Sequence, residues 1–236
     1  MSLREAEWRV LDHESIVQLD EHLWTVQGVV PKTPLGRRMT IARKENGGLV
    51  LHSPIALDLG AMAQLDELGP VEEILIPSAV HRMDAARFAA RYPGARVLCP
   101  EGATKKVEEA CRVDGTFLDL TEDTRLSLRP LEGTKRREGV LTVRGPKGTC
   151  LVFCDAVFNL PHSSGLGGLL IRCVGSSGGP RVTPMARLLL VDDKAAFRSD
   201  LLKLSESEGL YCILVAHRVA ITENPGSVLR GVAEAL

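Results

Sequence analysis

Three apolar runs in this chain each stop at side chains able to bind a metal ion. Tyr211-Cys212-Ile213-Leu214-Val215-Ala216 runs into His217, and Leu151-Val152-Phe153-Cys154 runs into Asp155. Ile74-Leu75-Ile76-Pro77 runs into a loop carrying His81 and Asp84. Short continuous apolar runs bounded by polar or turn residues read as strands buried on both faces. In layered α/β folds the loops just past the C-terminal strand ends are where ligands bind, because a rigid sheet holds them there.

The chain has 236 residues, enough for a substantial core, and 29 Lys+Arg stand against 30 Asp+Glu. That balance favours neither nucleic acid nor an anionic membrane as a partner. Aromatic residues make up only 4%, too few for a base-stacking surface. The six cysteines form no CxxC pair and several lie inside apolar runs. They read as free thiols in a reducing compartment. The first residues lack the apolar stretch of a signal peptide, and no apolar run reaches membrane-span length. The expectation is a cytoplasmic protein.

In order, the chain opens with a polar stretch over 1–20. Strands are predicted at 23–30, 38–44 and 49–52, the last two joined by a turn at Glu45-Asn46-Gly47-Gly48. Leu59, Met62, Leu65 and Leu68 give one helical stripe, which Gly69-Pro70 ends. Strand 71–76, helix 85–91, strand 96–99 and helix 104–112 follow, the alternation of a layered α/β unit. Strands at 125–128, 140–143 and 150–154 open the second half. Residues 159–184 are rich in glycine and proline and read as a functional lid or a mobile loop. A helix at 193–207, the strand 211–216 and a last helix after Asn224-Pro225-Gly226 complete the series. No linker splits the chain, so 1–236 is expected to be one domain of two similar α/β halves, sheets face to face and helices outside.

These segments, in this order, resemble the metallo-β-lactamase-fold superfamily. The residues that carry the resemblance are Leu23-Trp24-Thr25-Val26, Leu49-Val50-Leu51-His52-Ser53-Pro54 and Gly69-Pro70-Val71-Glu72-Glu73-Ile74-Leu75-Ile76-Pro77. Tyr92-Pro93-Gly94-Ala95-Arg96-Val97, Cys154-Asp155-Ala156 and Val215-Ala216-His217 complete them. The resemblance implies an α/β fold, the αββα four-layer sandwich of metallo-β-lactamase type, whose usual members are zinc- or iron-dependent hydrolases. It also implies a ligand set: an HxHxDH loop, a middle histidine, a bridging aspartate and a late histidine. Asp155 matches the bridging aspartate and His217 the late histidine, with Arg218 where a glycine often follows. The HxHxDH stretch corresponds to Pro77-Ser78-Ala79-Val80-His81-Arg82-Met83-Asp84, which keeps only His81 and Asp84 as ligands. The middle histidine has no counterpart in Glu132-Gly133-Thr134.

Catalytic zinc takes about three protein ligands plus water. His81, Asp84, Asp155 and His217 suffice for one zinc or iron ion and fall short of the six or seven ligands of a two-metal site. Each also has a plain structural use: His81 as a donor to a carbonyl, Asp84 as the N-cap of the 85–91 helix, Asp155 as an acceptor in its turn, His217 as its partner. Two readings therefore stand: a mononuclear metal-dependent hydrolase of unknown substrate, or a catalytically inactive member holding a small molecule or a protein in the former cleft. Weaker candidates are His52 and His162 as pocket lining, and Ser163-Ser164-Gly165 and Ser176-Ser177-Gly178-Gly179 as an anion cradle. Lys135-Arg136-Arg137 reads as a solvated hairpin tip. Cys154 would be a soft ligand, but strand alternation predicts that it points away from Asp155.

Overall fold

The computed structural model describes residues 7–33, 35–121, 123–162 and 165–236. Its first sheet contains β1 (Val17–Asp20), β2 (Leu23–Val29), β3 (Gly36–Arg43), β4 (Leu49–His52), β5 (Val71–Leu75), β6 (Arg96–Cys99) and β7 (Gly115–Thr116), lying side by side in sequence order. Pairing is antiparallel through β4 and parallel from β4 to β7. The change follows from the connections: tight turns join antiparallel strands, whereas parallel neighbours need a crossover. Here α1 (Leu59–Leu68), α2 (Ala85–Arg91) and α3 (Thr104–Glu108) supply those crossovers. Asp58 caps α1, accepting the Ala61 N–H at 2.8 Å. Leu59, predicted as part of the buried stripe, is instead 89% exposed at the first helical position, while Met62 and Leu65 are buried. Gly69 ends α1 at φ 149°, and a Cβ there would stand 2.5 Å from the Gly47 carbonyl, so only glycine fits.

The second half continues with β8 (Leu126–Pro130), β9 (Gly139–Gly145) and β10 (Gly148–Phe153). The glycine-rich stretch is more regular than its composition predicts. It folds as β11 (Phe158–Leu160), α4 (Gly165–Cys173) and β12 (Gly179–Arg181), with β11 and β12 paired antiparallel. Ser163 and Ser164 of the proposed cradle lie outside the described residues, and Ser177 Oγ is 2.9 Å from His162 Nδ1. Then come α5 (Pro184–Leu189), α6 (Lys194–Ser205), β13 (Leu210–Val215) and α7 (Pro225–Glu234). The sheet order is β13-β10-β9-β8, with β13 parallel to β10.

Strand alternation builds the layers. Leu49, Leu51, Ile74, Ile76, Val97 and Cys99 pack with Met62, Leu65, Phe88 and Val107 from the helices of the first half. Their neighbours Val50, Leu75 and Leu98 turn the other way and meet Leu141, Val143, Cys150, Val152, Cys212 and Leu214 of the second sheet. On the far side of that sheet Leu151, Phe153, Ile213 and Val215 pack against Phe197, Leu201, Leu229 and Val232. Three cores between four layers make the αββα sandwich expected from the sequence. Each strand that serves two cores has to be apolar throughout, which is why the sequence shows unbroken runs. All six cysteines are free thiols. Among the described residues no helix is long and apolar enough to cross a membrane.

Candidate metal centre

The ends of β5, β10 and β13 bring three of the four predicted ligands together. His81 Nε2 and His217 Nε2 both lie 3.2 Å from Asp155 Oδ1, and Ser78 Oγ donates to Asp155 Oδ2 at 3.0 Å. The two imidazoles meet edge to face with centroids 5.1 Å apart. Cys154 joins them: the donor atoms of His81, Cys154 and Asp155 all lie within 4.8 Å of one another. This corrects the expectation that Cys154 points away. β10 ends at Phe153, so strict alternation no longer governs residues 154 and 155.

The turn that replaces it is shaped by Glu138, fully buried beside the end of β9. Its Oε1 accepts the N–H groups of Cys154 (2.9 Å) and Ala156 (2.8 Å), and its Oε2 accepts that of Asp155 (2.9 Å). Burial first, and the neighbouring Asp155 charge second, push the Glu138 carboxyl up to about 8, against the pull of these three donors. Burial also pushes the Cys154 thiol well above its ordinary range, reinforced by the Asp155 and Glu138 charges. For Asp155 itself, burial would raise the carboxyl, but His81 and His217 outweigh it and hold it well below the usual range. Burial likewise lowers His81, and the charge and hydrogen bond of Asp155 more than reverse this.

His217 is mounted by β3. Its Nδ1 donates to the Gly36 carbonyl at 2.7 Å, and Phe158 stacks on its ring with centroids 4.7 Å apart. Arg38, buried in the same strand, donates from Nε to the Val215 carbonyl at 3.1 Å and from Nη2 to the Arg218 carbonyl, bracketing the turn that bears His217. Arg218, where a glycine was expected, holds φ 69°, and Ser53, whose Oγ is 3.4 Å from His81 Nδ1, holds φ 56°. Positive φ at such residues costs on the order of 1 kcal/mol each and persists where the surroundings enforce it. Both lie beside the imidazoles.

The proton placement on His217 is informative. A carbonyl only accepts, so Nδ1 carries a proton. A neutral ring then turns the Nε2 lone pair toward the Asp155 carboxylate, which is also an acceptor. Either the ring is an imidazolium or a cation belongs between the two atoms. A histidine whose Nδ1–H is fixed by a carbonyl while Nε2 faces a carboxylate is arranged as metal-ligating histidines are. Two imidazoles, a carboxylate and a thiol suit zinc or iron better than magnesium or calcium.

Asp84, the fourth predicted ligand, has other partners. Its oxygens take Arg37 Nη1 at 2.5 Å, Arg87 Nη1 at 2.8 Å and the Ala56 N–H at 3.1 Å. It occupies the N-cap position of α2 without bonding the helix N–H groups. Thr134 Oγ1 bonds the Leu131 carbonyl at 2.6 Å. His52 is buried near His81, and burial first, then the His81 charge, bring its imidazole down to about 3.

Solved structures share this fold over almost the whole chain. A metallo-β-lactamase from Pontibacter korlensis superposes with TM-score 0.60 at 13% identity, covering 95% of this chain and 100% of its own. The chain has the metallo-β-lactamase fold. An enzyme from Erythrobacter litoralis, with β-mercaptoethanol in its active site, gives TM-score 0.62 at 11% identity, covering 94% and 96%. The metallo-β-lactamase FIM-1 from Pseudomonas aeruginosa, in its mono-zinc form, gives 0.60 at 12%, covering 94% and 95%. No family model matches the sequence, and no curated protein matches it. Within the metallo-β-lactamase fold, the His81, Asp155 and His217 cluster stands at the strand ends that the apolar runs marked out.

Proposed function

We propose that the chain is a mononuclear metal-dependent hydrolase of the metallo-β-lactamase type, with His81, Asp155 and His217 holding one zinc or iron ion and Cys154 beside them. The observation that carries the reading is the Nε2 lone pair of a carbonyl-fixed His217 facing the buried Asp155 carboxylate. When bound, such an ion supplies a Lewis acid and lowers the pKa of a water so that it attacks near neutral pH. The protein's part is positioning. Gly36 sets the His217 tautomer, Phe158 limits rotation of its ring, and Ser53 steadies His81. Glu138 fixes the turn that presents Asp155 and Cys154. Val80, Met83 and Val219, close in sequence to His81 and His217, are exposed apolar residues, which suits a small organic substrate.

A second reading has its own support. Asp155 already accepts from Ser78 and lies within hydrogen-bond distance of both histidines, so an imidazolium could close the cluster with no ion present. In that case the protein is inactive and binds a small molecule or protein in the cleft. The test is a panel of chromogenic esters, phosphodiesters and lactams offered to zinc-loaded protein. Hydrolysis that scales with zinc content and disappears in Asp155→Ala supports the hydrolase. Stoichiometric zinc without turnover of any substrate class, or no zinc at all, supports the inactive reading.

A further inference from the structure

Arg37 lies beside the candidate centre but is not spent on it. The strand that carries it presents the Gly36 carbonyl to His217, and the Arg37 charge acts on His81. Its side chain is 6% exposed, and one nitrogen, Nη1, pairs with Asp84. The other two, Nε and Nη2, are buried with no hydrogen-bond partner among the described residues. These two nitrogens form one of the two guanidinium edges whose N–H bonds run parallel, an edge that grips a carboxylate or a phosphate with two bonds at once. Orphaned buried N–H groups are rare because each gives up its hydration without return. Two on one fork, on an arginine already oriented by a buried carboxylate, form a donor pair set for an oxyanion.

We propose that the Arg37 fork is an oxyanion subsite of this centre, so that the substrate or product carries a carboxylate or phosphate group. The inference rests on the metal-centre reading only for the word substrate; the anion site stands by its own geometry. Asp84 and Arg87 keep the guanidinium in place: Asp84 accepts from both arginines, so Arg37 cannot turn its fork away without losing its partner. Because Nε and Nη2 are shielded from solvent, neighbouring side chains must yield before an anion reaches them. That restricts the ligand to a small oxyanion group and disfavours bulky anions.

The test follows the side-chain Nε–H resonances in 15N-labelled protein as purified, with inorganic phosphate, acetate and chloride added in separate titrations. The Arg37 signal is the one missing from the spectrum of Arg37→Lys. That variant keeps a cation for Asp84 and removes the fork; Arg37→Gln replaces it if the lysine variant does not fold. The expected result is a saturable shift of the Arg37 signal with phosphate or acetate and none with chloride, and anion binding at least about tenfold weaker in Arg37→Lys, as loss of a bidentate contact implies. The stronger of the two ligands tells phosphate chemistry from carboxylate chemistry. An unmoved signal at tens of millimolar of both anions overturns the proposal, as does equal binding by Arg37→Lys, and an internal water then accounts for the fork. Metal content measured on the same samples separates the two ideas. Anion binding by protein that also takes up no supplied zinc supports the fork and refutes the metal centre, and bound metal with an unmoved Arg37 signal does the reverse.

Discussion

Replacing Arg38 with methionine isolates the mount of His217. Arg38 makes three bonds from a permanently charged group: to the Val215 carbonyl at 3.1 Å, to Thr25 Oγ1 at 3.0 Å and to the Arg218 carbonyl. Methionine keeps most of the buried stem and loses every donor. Thr25 still donates to the Met39 carbonyl at 3.1 Å, so its hydroxyl is not stranded. The two carbonyls each lose a charge-assisted bond, at about 1–3 kcal/mol for a buried group left unpaired. Relief of the buried guanidinium charge, which desolvation already penalises, offsets part of this. The net expectation is a loss of about 3 kcal/mol, read as a lower midpoint in urea unfolding of metal-free protein at unchanged slope. Zinc affinity, measured against a chromophoric chelator, should fall by about 10- to 100-fold, as it does when groups that orient metal ligands are removed. A loss under about 0.5 kcal/mol, the size of an ordinary surface substitution, with unchanged zinc affinity would refute the claim that Arg38 positions the His217 turn.

Three further outcomes are expected. Asp84→Asn should leave metal content unchanged yet destabilise the fold by about 3–5 kcal/mol, because Arg37 and Arg87 lose a buried counter-charge; a drop in metal at full stability would restore Asp84 as a ligand. The His52 imidazole is held near 3, below its ordinary 6.5, so its contribution to stability is whole above about pH 6.5 and drains as pH falls toward 3. His52→Phe should flatten that limb of the stability–pH curve in metal-free protein by up to one proton's worth, about 1.4 kcal/mol per pH unit, and an unchanged slope would contradict the burial argument. Cys154→Ser should weaken zinc more than magnesium or manganese, since a thiolate favours softer ions; equal weakening of all three would place Cys154 outside the centre.

Much of this was legible in the sequence, for physical reasons that can be named. Strands serving two cores must be apolar throughout, so β5, β10 and β13 stood out, and the polar residues that end them, His81, Asp155 and His217, do meet. What was missed depends on contacts far apart in sequence. Arg38 reaches a carbonyl 177 positions away, and Glu138 folds back on a turn 16 to 18 positions on. A buried arginine in a strand gives no local sign of such a partner. A glutamate next to the apolar β9 run was the available hint for Glu138, since an isolated acid there needs buried donors. Alternation misplaces Cys154 because the strand stops at Phe153, one residue earlier than the apolar run suggests. The sequence offers Asp84 as a metal ligand and, failing that, as a helix cap, whereas two arginines and the Ala56 N–H take its oxygens. Over 159–184 the glycine content suggests a loop and hides the β11–β12 pair.

The central claim is that His81, Asp155 and His217 form one metal site, and elemental analysis of protein purified without chelator tests it most directly. The wild type should carry close to one equivalent of zinc or iron per chain, as expected of a tight site, and a folded His217→Ala should lose it. Less than about a tenth of an equivalent in the wild type after zinc is supplied, or full retention in His217→Ala, would contradict it.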